Sequence, residues 1–142
     1  MTTLSSEEFD GIFSELKEQH PIDEMVKFSE LDIAEKLQQN AMKVVEYKEF
    51  YYRELNLYEQ LERKMDALTG IRYKHYKYND EHNWQKPEIE KYCLPADESI
   101  IKLKKIMMKQ QIRVRFFELC WKSFEKQGWN MKVFSDRERM GI

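Results

Sequence analysis

The sequence predicts a mainly α fold built from long, coiled-coil-like helices that form a helical hairpin, and three observations carry that expectation. Only four glycines and three prolines occur in 142 residues, and 35% of the residues are charged, a profile of long helices rather than turn-rich β structure. Neither residue type occurs between Asp32 and Gly70, nor between Ala96 and Gly128. Both intervals repeat apolar residues at three- and four-residue steps, as a helix buried along one stripe does. The length suits a single domain, 1–142, with a core of modest depth.

Residues 4–19 read as the first helix. Ser5 can cap it, Glu8 completes an S-x-x-E box, and Phe9, Ile12, Phe13 and Leu16 make an apolar face. His20-Pro21 ends it, because proline disfavours a helical residue before it. A short hinge then carries Ile22, Met25, Val26 and Phe28. Ser29, with Asp32 three residues on, starts a long helix over roughly residues 30–69 that can run on toward Tyr78. Its expected stripe is Ala34, Leu37, Ala41 and Val44, a break at Lys48, then Tyr51, Leu55 and Tyr58, after which the phase slips and resumes at Leu61, Met65 and Leu68, a stammer in coiled-coil terms. Tyr47, Phe50, Tyr51 and Tyr52 widen the apolar face, which predicts packing on more than one neighbour. Gly70 is either a C-cap or a weak point inside a continuing helix.

Residues 79–96 read as a polar loop. Asp97, a good N-cap, opens a second long helix that is expected to stop at Gly128. Its stripe runs Ile100, Leu103, Met107, Gln110, Val114, Phe117, Trp121 and Phe124 without a slip, and the polar Gln110 is placed to fix register. Ile106, Phe116 and Leu119 flank the stripe; Lys102, Lys104, Lys105, Lys109, Arg113 and Arg115 fill much of the remaining surface. The tail from Trp129 alternates through Met131 and Phe134 like a short strand, and Ser135 with Glu138 can cap a final helical turn. With no visible partner in its own chain, this segment is expected to dock on another subunit. The residues assigned to oligomerisation are Val114, Phe117, Trp121, Phe124, Trp129, Met131 and Phe134.

For function, the informative stretch is Arg72-Tyr73-Lys74-His75-Tyr76-Lys77-Tyr78, with Arg63 and Lys64 upstream. Cations alternate with rings, which suits a single nucleic-acid strand: cations meet phosphates and rings stack on unpaired bases. The same residues also occur on ordinary solvated helices. Charge is unevenly spread: residues 1–62 hold 15 acids and 6 Lys/Arg, whereas 63–142 hold 11 acids and 18 Lys/Arg. A basic half attracts polyanions; alternatively, acidic and basic parts pair within or between subunits. The three histidines have no metal-binding helical spacing, a set of His75, His82 and Cys93 is a weak alternative, and no phosphate loop, nucleophile elbow or zinc-protease motif occurs. Catalysis is therefore the poorest functional class, and no cofactor is implied. Cys93 and Cys120 lack a CxxC spacing and read as buried or incidental thiols in a reducing compartment. Without an apolar span or a secretion signal, the expectation is a soluble, cytoplasmic protein.

A resemblance narrows the class. Leu94-Pro95-Ala96-Asp97, a 31-residue step to Gly128, and then Gly128-Trp129-Asn130-Met131-Lys132-Val133-Phe134-Ser135-Asp136 resemble the C-terminal part of the UvsY family, recombination mediators of T-even-type phages. In that family an Ala-Asp pair opens the last long helix, which closes on Gly-aromatic-x-aliphatic-Lys-x-x-x-Asp at the same separation. The match covers about the last third of the chain, and its specificity lies in the joint spacing. The resemblance implies a helical protein assembled as a ring of about six to seven identical subunits in the cytoplasm of an infected bacterium. It further implies single-stranded DNA, a phage recombinase and the phage single-strand-binding protein as partners, with no catalysis. Of the family's basic residues at the end of the long helix, one matches Arg72 and the other falls near Gly70, where Lys74 or Lys64 stands in. The DNA-binding set expected is thus Arg63, Lys64, Arg72, Tyr73, Lys74, Tyr76 and Lys77. A coiled-coil scaffold without DNA binding is the alternative.

Overall fold

The computed structural model describes residues 4–28 and 33–141, so the start signal read at Ser29 and Asp32 lies outside it. Helix α1 spans Ser6–Gln19 and begins as expected: Ser5 Oγ accepts a hydrogen bond from the Glu8 N–H at 3.1 Å. His20 terminates it, and Pro21 leads into the single turn α2, Ile22–Met25. Helix α3 spans Ile33–Lys74, passes through Gly70 unbroken, and ends in a widened π-helical turn, His75–Asn79. Gly70 is therefore not a cap. It is exposed, and nothing lies within 4 Å of the position a Cβ would take.

The expected polar loop is shorter than 79–96. Only Asp80–Gln85 lies outside helical structure; α4 (Lys86–Glu88), a second π-helical turn (Ile89–Cys93) and α5 (Leu94–Ala96) follow. Ile89 and Cys93 are the reason: both are buried, so this stretch coils to bring them inward. Helix α6 then spans Glu98–Arg139, its N-terminus capped by Asp97. α3 and α6 each have 42 residues, about 63 Å of helix, and pack antiparallel as one long hairpin.

The seam of that hairpin differs from the predicted stripe in α3. Its buried residues are Ile33, Asn40, Tyr47 and Glu54, one every seven residues. Interleaved with Leu37, Val44, Tyr51 and Tyr58 they form a strict four-three alternation that continues through Leu61, Met65, Leu68 and Arg72. The stammer disappears. The expected members Ala34 and Ala41 give way to Ile33 and Asn40, and the break at Lys48 is filled by Tyr47 one residue earlier, because the polar Asn40 and Glu54 hide the true phase and Ala looks like core. In α6 the predicted stripe is confirmed, and it runs on through Gly128 and Met131.

Gly128 does not stop α6; it sits in the seam opposite Asn40, where an added Cβ would lie 2.6 Å from Asn40 Oδ1. Glycine here answers a close approach of two helices rather than a turn. The tail is likewise helical, with no strand among the described residues. Met131 is 2% exposed within this one chain, and Phe134 packs edge-on to Phe28 with ring centroids 6.4 Å apart.

α1 lies along the middle of the hairpin, its N-terminus toward the loop. Leu4 to Asp10 border the same cleft as Met108 to Arg115, and Phe13 and Lys17 the same cleft as Phe116 to Ser123, so α1 runs parallel to α6. A second face of α6 accounts for this: Ile112, Phe116 and Cys120 recur at four-residue steps and are all buried. Of the flanking set expected for α6, only Phe116 belongs to it, since Ile106 and Leu119 are exposed. Leu16, Tyr47, Phe116, Phe117, Cys120 and Phe124 form the core cluster, and Phe50 and Tyr51 pack against it. The widened aromatic face of α3 thus does meet two neighbours. Cys93 and Cys120 are both buried free thiols, and burial pushes the Cys120 thiol up to about 12.

Four residues expected to join subunits, Val114, Phe117, Phe124 and Met131, are buried inside the single chain. Seam geometry explains the correction, because the three-four alternation that made them look like an oligomer contact is satisfied by α3 of the same molecule. Trp121 and Phe134 are half-buried against Tyr51 and Phe28. Only Trp129, 65% exposed, is left open to a second subunit.

Candidate nucleic-acid interface

The basic-aromatic stretch forms the distal end of the hairpin, where the end of α3 meets the start of α6. Its central feature is Asp97, 3% exposed. Oδ1 accepts the Ile100 N–H at 3.1 Å and caps α6, while Oδ2 accepts both Arg72 Nε and the Tyr76 hydroxyl at 2.7 Å each. Burial works against the charged Asp97 carboxylate, but the bonds from Tyr76, Arg72 and the Ile100 N–H outweigh it and hold the group below its ordinary value. The Asp97 carboxylate in turn keeps Arg72 more firmly protonated. The Arg72 guanidinium also lies 5.4 Å from the centre of the Tyr76 ring.

Arg72 therefore occupies a seam position and ties the two long helices together. Tyr76 does the same from the π-helical turn. These two members of the expected DNA-binding set are already engaged within the chain. Arg63, Lys64 and Lys74 are exposed, and Tyr73 and Lys77 are half-buried. Judged by the register at which Glu54 meets Gln110 and Arg72 meets Asp97, Arg63 and Lys64 lie level with Lys102 to Lys105.

Two further aromatic residues join this end. Tyr78 is 75% exposed, and Tyr92 is exposed with the Lys91 ammonium 5.2 Å from its ring centre. Lys91-Tyr92 was legible as a second cation-ring pair but lay inside what read as a polar loop. His82 and Trp84 pack together at 4.2 Å between centroids in Asp80–Gln85.

Charge separates this end from the rest. Residues 63–109 hold eleven Lys/Arg and seven Asp/Glu, and the remainder hold thirteen and nineteen. Among the described residues, Arg72 is the only one of the eleven cations paired with a carboxylate within 4.0 Å. Among the described residues, one ion pair, Arg113 with Glu54, joins an acid of residues 1–62 to a base of residues 63–142, and one, Lys48 with Glu125, joins the halves in the opposite sense. No cluster of three or more His, Cys, Asp or Glu able to hold a metal occurs among the described residues, and no helix there is long and apolar enough to cross a membrane. No family model matches this chain, and neither the curated proteins nor the solved structures include a match.

Proposed function

We propose that the chain is a non-enzymatic single-stranded DNA-binding protein that grips the strand with the loop end of its hairpin and, as the resemblance to the UvsY family implies, acts as a recombination mediator. The observation that carries this reading is the set of ten cations in residues 63–109 without a carboxylate partner among the described residues, beside the exposed rings of Tyr78 and Tyr92. Unpaired cations release condensed counterions when they meet phosphates, and nearby rings offer base-stacking faces. In this reading Arg63, Lys64, Lys74 and Lys77 contact phosphate, while Arg72 and Tyr76 hold the binding end in shape. Assembly into a ring multiplies weak contacts along one strand, and a recombinase and a single-strand-binding protein are the protein partners.

Fluorescence anisotropy with a labelled oligonucleotide tests the DNA part. Affinity should fall roughly tenfold or more between about 50 and 200 mM salt, as expected for several phosphate contacts on a single strand. Lys64→Ala with Lys74→Ala should weaken binding without altering the melting temperature. Salt-independent binding, or an unaffected double variant, refutes the assignment. Light scattering with and without oligonucleotide tests assembly, and a monomer indifferent to DNA refutes the ring. The exposed Met42, Val45, Tyr52 and Trp129 favour a second reading, a coiled-coil scaffold that binds proteins through these side chains; it predicts no oligonucleotide binding at physiological salt.

A further inference from the structure

A different site lies at mid-hairpin, where the corner after α1 meets α3 and α6. A cleft of about 180 Å³ is lined there by His20, Phe50, Arg53, Glu54, Arg113 and Phe117. Three of these are cationic or can become so, and each comes from a different element. Their hydrogen bonding leaves them underused. Arg53 makes no ion pair or side-chain hydrogen bond among the described residues, and its guanidinium lies 5.7 Å from the Phe50 ring centre. Arg113 donates one Nη2 bond, at 2.9 Å, to Glu54 Oε1. His20 uses Nδ1 at 2.8 Å from the Tyr47 hydroxyl, and Nε2 has no partner among the described residues.

Glu54, the acid of the cleft, is fully engaged: Arg113 holds Oε1, and Gln110 Nε2 donates to Oε2 at 2.6 Å and to the Glu54 backbone carbonyl at 2.9 Å. Glu54 thus aims Arg113 rather than repelling an incoming anion outright. Guanidinium groups bind oxyanions through several directed N–H donors. A planar carboxylate is satisfied by one such fork; donors converging from three elements suit a tetrahedral group. The volume also leaves room for ordered water around it.

We propose that this cleft binds a phosphate group through Arg53, Arg113 and His20. The site is separate from the loop end, and it stands whether or not that end binds DNA. Binding is coupled to protonation of His20. In the free chain, burial lowers the His20 pKa, Arg113 and Lys43 lower it further, and Glu46 opposes them; Arg53, Glu54 and the Tyr47 hydroxyl complete the polar surroundings. A phosphate beside the ring favours the imidazolium, so binding should draw a proton onto His20 and tighten as pH falls through the histidine range.

NMR titration of the His20 imidazole tests this at matched ionic strength in chloride, acetate, inorganic phosphate and a short single-stranded oligonucleotide. The titration midpoint should rise by roughly half a unit or more in phosphate relative to chloride, and Arg53→Gln, an exposed position, should abolish the rise while leaving the circular dichroism unchanged. A rise with inorganic phosphate assigns a free ion; a rise with the oligonucleotide alone assigns a backbone phosphate. Either outcome supports a phosphate site. Equal midpoints in all solutions, an equal rise in acetate, or a rise that survives Arg53→Gln overturns it.

Discussion

Two oxygens of Asp97 decide how the loop end of the hairpin is held. One caps α6 and the other receives Arg72 and Tyr76, so removing Arg72 leaves a buried carboxylate short of a partner. Arg72→Ala should accordingly lower the melting temperature, whereas Lys74→Ala, at an exposed site with no carboxylate partner, should not; equal melting temperatures for the two would disprove the structural role of Arg72. Acid stability follows from the same kind of residue. Asp97 and Glu54 are both held below their ordinary values of 3.8 and 4.5, so the stability they add is present above those values and is lost as pH falls through their folded ones. His20 is also lowered, from 6.5. For a histidine this favours the neutral ring in the fold, so its stabilising effect is full above 6.5 and declines below. Urea midpoints measured from pH 8 to 3 should fall in two stages, and His20→Gln should flatten the upper stage alone. A decline near pH 6 that persists in this variant would assign it elsewhere.

Helix by helix, the two glycines inside the long helices behave oppositely. Gly70 is open on all sides, so Gly70→Ala should stabilise the chain by about 0.5–1 kcal/mol through reduced freedom of the unfolded state and better helix propensity. Gly128→Ala gains the same propensity but drives a Cβ to 2.6 Å from Asn40 Oδ1, so it should be neutral or destabilising. Chemical denaturation of both variants checks the pair, and equal gains would refute the close approach. These positions also mark where sequence patterns succeed and fail. Ser5 and Asp97 were legible as caps because capping is a local hydrogen bond, and the α6 stripe was legible because its members to Phe124 are nearly all apolar. The α3 seam was half legible: its partner positions at Asn40 and Glu54 are polar, and their burial is justified only by Gly128 and Gln110 in a distant helix. Gly128 itself read as a stop because close packing and chain reversal both select glycine. At the candidate interface, the cations were evident from composition, but that Arg72 is tied to Asp97 depends on the register of the hairpin.

For the molecule as a whole, the hairpin is a rod that is basic at its loop end, with the acidic α1 along its middle. That geometry orders its assembly in time as well as in space. Arg72 and Asp97 are 25 residues apart in the chain, Glu54 and Gln110 are 56 apart, and Phe28 meets Phe134 at the open end of the rod. Closing the shorter loop costs less entropy, by about 0.7 kcal/mol for the first two pairs, so folding should zip from the Asp97 node outward. In stopped-flow measurements, Asp97→Asn should slow refolding, whereas Phe134→Ala should leave refolding almost unchanged and accelerate unfolding. The reverse pattern would place the nucleus in the aromatic cluster. A chain that zips from its charged end acquires the proposed DNA-binding surface before its open end is complete, so the first part to be functional during folding would be the part farthest from the core.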